Sequence, residues 1–68
     1  MAYKLVNVYA ELVDRGEGGN AVRIRQGNRL YWLPKSQLHK FERLAGREYR
    51  LVIPLWLAEQ KQIEKYSS

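Results

Sequence analysis

The chain has 68 residues, a net charge of +5 and no cysteine, which is enough for one small domain over residues 1–68 and excludes disulfides and cysteine-ligated zinc. Its longest apolar run is short and interrupted by Pro54, so the sequence excludes a membrane-spanning helix and predicts no membrane partner. The positive charge is concentrated in residues 21–50, where eight basic residues stand against two acidic ones.

The first predicted element is a strand over residues 4–13, because hydrophobic residues recur there with a period of two. The face expected in the core consists of Val6, Val8, Ala10 and Leu12. The opposite face carries Leu5 and Tyr9, which predict a partner surface or a homodimer interface if they stay exposed. The alternative is that the C-terminal helix covers them.

Residues 14–20 contain three glycines and predict a mobile loop. They do not match a phosphate-binding loop, because no Gly-Lys-Ser/Thr follows them. His39 is the only histidine, and the sequence around it does not suggest a catalytic pair, so neither a general base nor a multi-histidine metal site is indicated. We therefore expect a non-enzymatic protein without a metal or another cofactor. No apolar signal segment opens the chain, which favours a cytoplasmic location.

The clearest local signal is a hairpin of residues 21–26 and 29–33 around Gly27-Asn28, a pair suited to a two-residue turn. Such a turn fixes the register of the two strands. The opposed pairs are then Gln26 with Arg29, Arg25 with Leu30, Ile24 with Tyr31, Arg23 with Trp32, and Val22 with Leu33. The face expected in the core carries Val22, Ile24, Tyr31 and Leu33. The other face carries Arg23, Arg25, Leu30 and Trp32.

A short middle helix is predicted between Ser36, a suitable N-cap, and Gly46, a suitable C′ glycine. Leu38, Phe41, Leu44 and Ala45 follow one another at helical spacing inside it. On such a helix Lys40, Arg43 and Arg47 would share one face.

Residues 47–53 predict a fourth strand with Tyr49, Leu51 and Ile53 on one face. Pro54 ends that strand and suits the first turn of a C-terminal helix over residues 55–66. Trp56, Ile63 and Tyr66 would form the apolar stripe of this helix.

Together these elements predict an α+β fold. We expect a small curled antiparallel sheet of about four strands, an SH3-like or OB-like half-barrel, with a short middle helix and a C-terminal helix. The alternative is an open sheet with both helices on one face.

Two motifs, Trp32-Leu-Pro-Lys-Ser-Gln37 and Ile53-Pro-Leu-Trp-Leu-Ala-Glu59, together resemble a pattern in small bacteriophage-encoded proteins. The resemblance covers residues 21–64 and departs from the pattern in residues 39–47, which are longer and more basic than the acidic turn of those proteins. It implies a phage or mobile-element origin, hence the host cytoplasm, and no settled activity. Folding alone also accounts for both motifs, since their prolines end strands and begin helices.

Basic residues beside aromatic ones predict an anionic partner, with sequence-independent binding of single- or double-stranded nucleic acid as the first hypothesis. The candidate binding residues are Arg23, Arg25, Arg29, Trp32, Lys35, Lys40, Arg43, Arg47 and Arg50. Trp32 would stack on a base, unless it is covered and the arginines merely pack on it.

Two further functions stay open at this point. The chain could dock on an acidic patch of a host protein machine, such as a defence system or a polymerase, and modulate or inhibit it. It could also be a small structural component of a phage particle or a homodimer.

Overall fold

The computed structural model describes residues 4–67, which form one antiparallel sheet and one short α-helix. The strands are β1 (Leu5–Asp14), β2 (Ala21–Gln26), β3 (Arg29–Pro34), β4 (Lys40–Ala45) and β5 (Glu48–Pro54), and the helix is α1 (Leu55–Gln60). A 3-10 turn covers Lys35–Gln37. The strand order is β3-β2-β1-β5-β4, so β3 and β4 are the edges of an open sheet. A small antiparallel sheet was predicted and is confirmed, with five strands instead of four.

One face of the sheet, the inner face, forms the core, because hydrophobic side chains alternate with polar ones along each inner strand. In β1 the predicted core residues Val6, Val8, Ala10 and Leu12 are all buried. Leu57 and Ala58 of α1, together with Ile63, complete the core. The outer face of the sheet therefore remains available to solvent or to a partner.

The β2–β3 hairpin has the predicted register, from Gln26 opposite Arg29 to Val22 opposite Leu33. Gly27 adopts a φ of 60°, a conformation that costs glycine little and that a two-residue hairpin turn requires at its first position. The side chains of Ile24 and Leu33 are fully buried. The prediction of inner and outer faces in this hairpin is confirmed.

The predicted middle helix is wrong, since residues 40–45 form the edge strand β4. Backbone pairing with β5 outweighs the helix preference of a segment rich in Lys, Glu, Arg, Leu and Ala. Gly46, with a φ of 55°, opens a two-residue hairpin turn where a helix C′ glycine was expected. Lys40 and Arg43 consequently lie in a strand and share no helix face with Arg47.

The C-terminal helix is also shorter than predicted, because α1 ends at Gln60. Backbone amides of Gln62 and Ile63 donate to the carbonyls of Glu59 and Ala58, the two bonds of a Schellman motif. Gln62 takes the left-handed position with a φ of 58°, and Ile63 turns into the core. No helix in the described part of the chain combines the length and hydropathy needed to cross a bilayer.

Trp56 lies on the solvent side of α1 and is 46% exposed. Of the three residues predicted to form the apolar stripe, only Ile63 lies in the core, whereas Trp56 and Tyr66 are exposed. A residue two positions further along a helix lies about 200° around it, so Ala58 points inward where Trp56 points out.

The segment after α1 runs beside the first half of β1. Asn7 and Ser67 form an antiparallel bridge through two backbone hydrogen bonds. The side-chain amide of Gln26 donates to the carbonyls of both Tyr9 and Lys65, at 2.9 Å each. Neither this segment nor the helix covers Tyr9, which is exposed, so the alternative of coverage by the C-terminal helix does not hold for this residue.

Candidate nucleic-acid interface

The outer face of the β2–β3 hairpin carries an exposed tryptophan stacked with an arginine. Trp32 and Arg23 are opposed residues on the two strands, and the Arg23 guanidinium lies 5.4 Å from the centroid of the Trp32 ring. Trp32 is 48% exposed and the neighbouring Leu30 is 47% exposed. The structure thus places Trp32 outside the core, with part of its surface covered by Arg23 and the rest free.

Arg23 combines this stacking with an unusual environment for its Nε atom. That atom is buried and has no hydrogen-bond partner among the described residues. Arg23 also takes part in none of the ion pairs formed among the described residues, so the remaining N–H donors of its guanidinium are not neutralised by a carboxylate of the chain. Arg23 is therefore the most suitable phosphate-binding residue on this face.

Three of the predicted binding arginines are held by carboxylates of the chain itself. Arg25 pairs with Glu11 at 2.7 Å, and Arg29 pairs with Glu64 at 3.0 Å. Arg50 pairs with Glu42 at 3.1 Å and also donates to the side-chain oxygen of Asn7. All three pairs are partly or largely exposed, so an external phosphate can compete for the arginines.

The remaining predicted cations do not gather with Trp32. Lys40 is on the outer face at the far edge of the sheet, whereas Arg43 is opposite the inward-facing Tyr49. Arg47 occupies the β4–β5 turn. Lys35 follows β3 and donates from its Nζ to the carbonyl of Gly16 at 2.7 Å. Only Arg23, Arg25 and Trp32 form the compact cluster that the hairpin register predicted.

The outer face is not uniformly positive. A notch of about 350 Å³ beside Arg25 is lined by Glu11 and Glu48, which are opposed residues on β1 and β5. Tyr9, 50% exposed, lines the same notch. On the outer face, these carboxylates disfavour an anion in the notch, so the hairpin side of that face is the more favourable place for one.

The glycine-rich loop after β1 is held in place by hydrogen bonds. The Gly16 amide donates to the Asp14 side chain at 2.7 Å, and the Gly16 carbonyl accepts from both Gly19 and Lys35. A Cβ at Gly16 would collide with the carbonyl oxygen of Ala21, so this position requires glycine. The loop therefore presents a defined wall toward the inner side of the sheet.

Sequence reasoning missed the second cluster of the molecule, on the inner side. Arg15 donates from Nη2 to the hydroxyl of Tyr49 at 2.8 Å, and Phe41 stacks on the Tyr49 ring with centroids 4.7 Å apart. Arg15 and Tyr49 are far apart in the chain, so no local pattern could have indicated their contact.

Residues 4–67 contain no group of three or more histidine, cysteine, aspartate or glutamate side chains placed to hold a metal ion. Comparison of the chain with protein-family models, with curated proteins and with solved structures found no match.

Proposed function

We propose that this chain is a non-enzymatic nucleic-acid-binding module, and that Trp32 and Arg23 hold an unpaired base and its phosphate. The observation that supports this proposal is the half-exposed Trp32 ring stacked with Arg23 on an otherwise open sheet face. Stacking on an aromatic side chain contributes about 1–3 kcal/mol per base and is largely independent of sequence. Arg25, beside them, adds a second phosphate contact at the expense of its bond to Glu11.

The dispersed basic residues limit how many phosphates can be bound. If Arg23 and Arg25 contact two phosphates of a single strand, the plot of log affinity against log salt has a slope of about −1.4. A duplex offers no unpaired base to Trp32, so we expect weaker binding of duplex than of single strands.

The two tryptophans allow a matched test by fluorescence anisotropy of a labelled oligothymidylate. Trp32→Ala should weaken binding about 5- to 150-fold through the loss of one stacked base. Trp56→Ala removes an equally exposed tryptophan from α1 and should leave the affinity unchanged. Thermal unfolding of both variants verifies that each remains folded. Absence of binding at low salt, or equal losses in the two variants, would contradict the proposal.

A finer description of the fold is also part of this proposal. We propose an SH3-like or OB-like half-barrel, because one ten-residue strand, β1, pairs with both hairpins and has a bulge between Leu12 and Asp14. A bulge of this kind increases the local twist of a strand.

Phage or mobile-element origin, with action in the host cytoplasm, belongs to the same proposal and rests on the two sequence motifs. In the structure Pro34 and Pro54 each end a strand and precede a helical turn. A folding role therefore accounts for both motifs without any partner.

A host protein is the second candidate partner. Leu5, Tyr9, Leu30 and Trp32 are all exposed on the outer face, while Glu11 and Glu42 already neutralise two arginines there. Apolar contacts would keep such a complex intact at moderate salt and in the presence of heparin. Displacement of the bound protein by heparin would instead favour nucleic acid.

A further inference from the structure

A second potential binding site lies on the inner side of the sheet, away from Trp32. It is a cleft of about 440 Å³ between the loop after β1, the segment after β3 and strand β4. A volume of this size is typical of pockets for small ligands. The lining side chains are Arg15, Glu17, Val22, Lys35, Leu38 and Phe41.

Two cations of the cleft are positioned by the protein without being neutralised by it. Arg15 is oriented by the Tyr49 hydroxyl and lies 6.0 Å from the centroid of the Tyr49 ring. Lys35 is oriented by the Gly16 carbonyl. Neither takes part in the ion pairs that form among residues 4–67. A guanidinium has five N–H donors and an ammonium three, so both retain donors for an anion.

The rest of the cleft is mostly apolar. Phe41 is 37% exposed although its ring stacks on Tyr49, and Val22 and Leu38 line the cleft beside it. Among the residues that the structure describes, Glu17 is the only acidic one that lines the cleft, so two cations there stand against one carboxylate. A flat apolar wall beside two oriented cations matches a ligand that carries a ring at one end and a negative charge at the other.

We propose that this cleft binds a small anionic ligand with a flat aromatic ring. Its charged group accepts hydrogen bonds from Arg15 and Lys35, and its ring packs against Phe41. Both a nucleoside monophosphate and an aromatic carboxylate have this chemistry. The site is independent of the Trp32 surface, because Phe41 and Val22 are on the opposite face of the sheet from Trp32.

The test is an NMR titration of the isotope-labelled chain with deoxyadenosine monophosphate and with indole-3-acetate. Saturable shifts of Val22, Leu38 and Phe41 signals are expected for at least one of the two probes, and the probe that binds identifies the charged group preferred. Deoxyadenosine and tryptophol, which lack the charge, should bind at least about tenfold more weakly. Shifts confined to the surroundings of Trp32, or equal binding of neutral and charged probes, would overturn the proposal.

Variants distinguish the cleft from general positive charge. Arg15→Gln should weaken binding of the charged probe about tenfold or more. Arg29→Gln removes an arginine that pairs with Glu64 away from the cleft, and it should leave this binding unchanged. Because Arg15 also contacts Tyr49, Arg15→Gln can lose binding through a folding defect. Lys35→Gln and Phe41→Leu leave Arg15 in place and should also weaken binding of the charged probe. Unchanged affinity in both of these variants would also overturn the proposal.

Discussion

Strands β3 and β4 are the two edges of the sheet, and each joins its inner neighbour through a two-residue turn that begins with glycine. β3 buries Tyr31 and Leu33, whereas every residue of β4 remains exposed. Two turns of the same length thus support one edge fixed by side chains in the core and one held by backbone pairing and the Phe41–Tyr49 stack. The comparison shows that a hairpin turn does not determine how firmly its outer strand is anchored.

Truncation of the inward-facing residue in each edge strand should give the largest difference. Leu33→Ala should lower the free energy of unfolding by about 2–5 kcal/mol, because Leu33 is fully buried. Phe41→Ala should cost only about 1 kcal/mol, mostly from the lost ring stack. Urea denaturation followed by circular dichroism measures both, with Leu33→Val as a milder variant if Leu33→Ala does not fold. Equal losses would mean that β4 is anchored as firmly as β3.

Substitution of the turn glycines tests whether each edge strand unfolds locally or only together with the whole sheet. Gly27→Ala and Gly46→Ala each place a Cβ in open space at a positive φ, so each should cost about 1–2 kcal/mol of backbone strain. In Gly46→Ala we expect faster amide hydrogen exchange confined to β4, whereas Gly27→Ala should accelerate exchange across the sheet. Uniform acceleration in both variants would show that β4 unfolds only together with the core.

The smallest effect is expected from the ion pair that joins β4 to β5. Glu42→Gln should change the free energy of unfolding by no more than about 0.5 kcal/mol, because the pair with Arg50 is partly exposed. Glu11→Gln provides the matched change, since its pair with Arg25 joins β1 to β2. Denaturation at low and high salt measures both. A loss above about 1 kcal/mol for Glu42→Gln alone would identify this pair as an anchor of β4.

The β2–β3 hairpin was predictable to the residue because turn chemistry and alternating hydrophobicity agree there. Gly27-Asn28 suits a tight turn, and each flanking strand has two apolar residues at alternate positions that enter the core. In β4 the local signals disagree with the fold. Gly46 suits a helix end and a hairpin turn equally well, and an edge strand with no buried residue has no alternating pattern to reveal it.

The candidate binding surfaces were predictable to different extents for a related reason. Opposing Arg23 to Trp32 requires only the hairpin register, so their contact followed from the sequence. The exposure of Trp32 did not follow from the sequence, because Leu30 and Trp32 make both faces of β3 apolar. The inner cleft joins Arg15 to Tyr49 and Phe41 through strand pairing between distant segments, which no local spacing reveals.

Central strand β1 has a consequence for the order of folding. Each hairpin closes a loop of two residues, but Val6 must pair with Ile53 from near the other end of the chain. Contacts between segments so distant along the chain form slowly, because the intervening chain must first be confined. Because β1 precedes β5 in the chain, its pairing is completed only after β5 has been synthesised. Until then its hydrophobic face stays open to other chains and to chaperones.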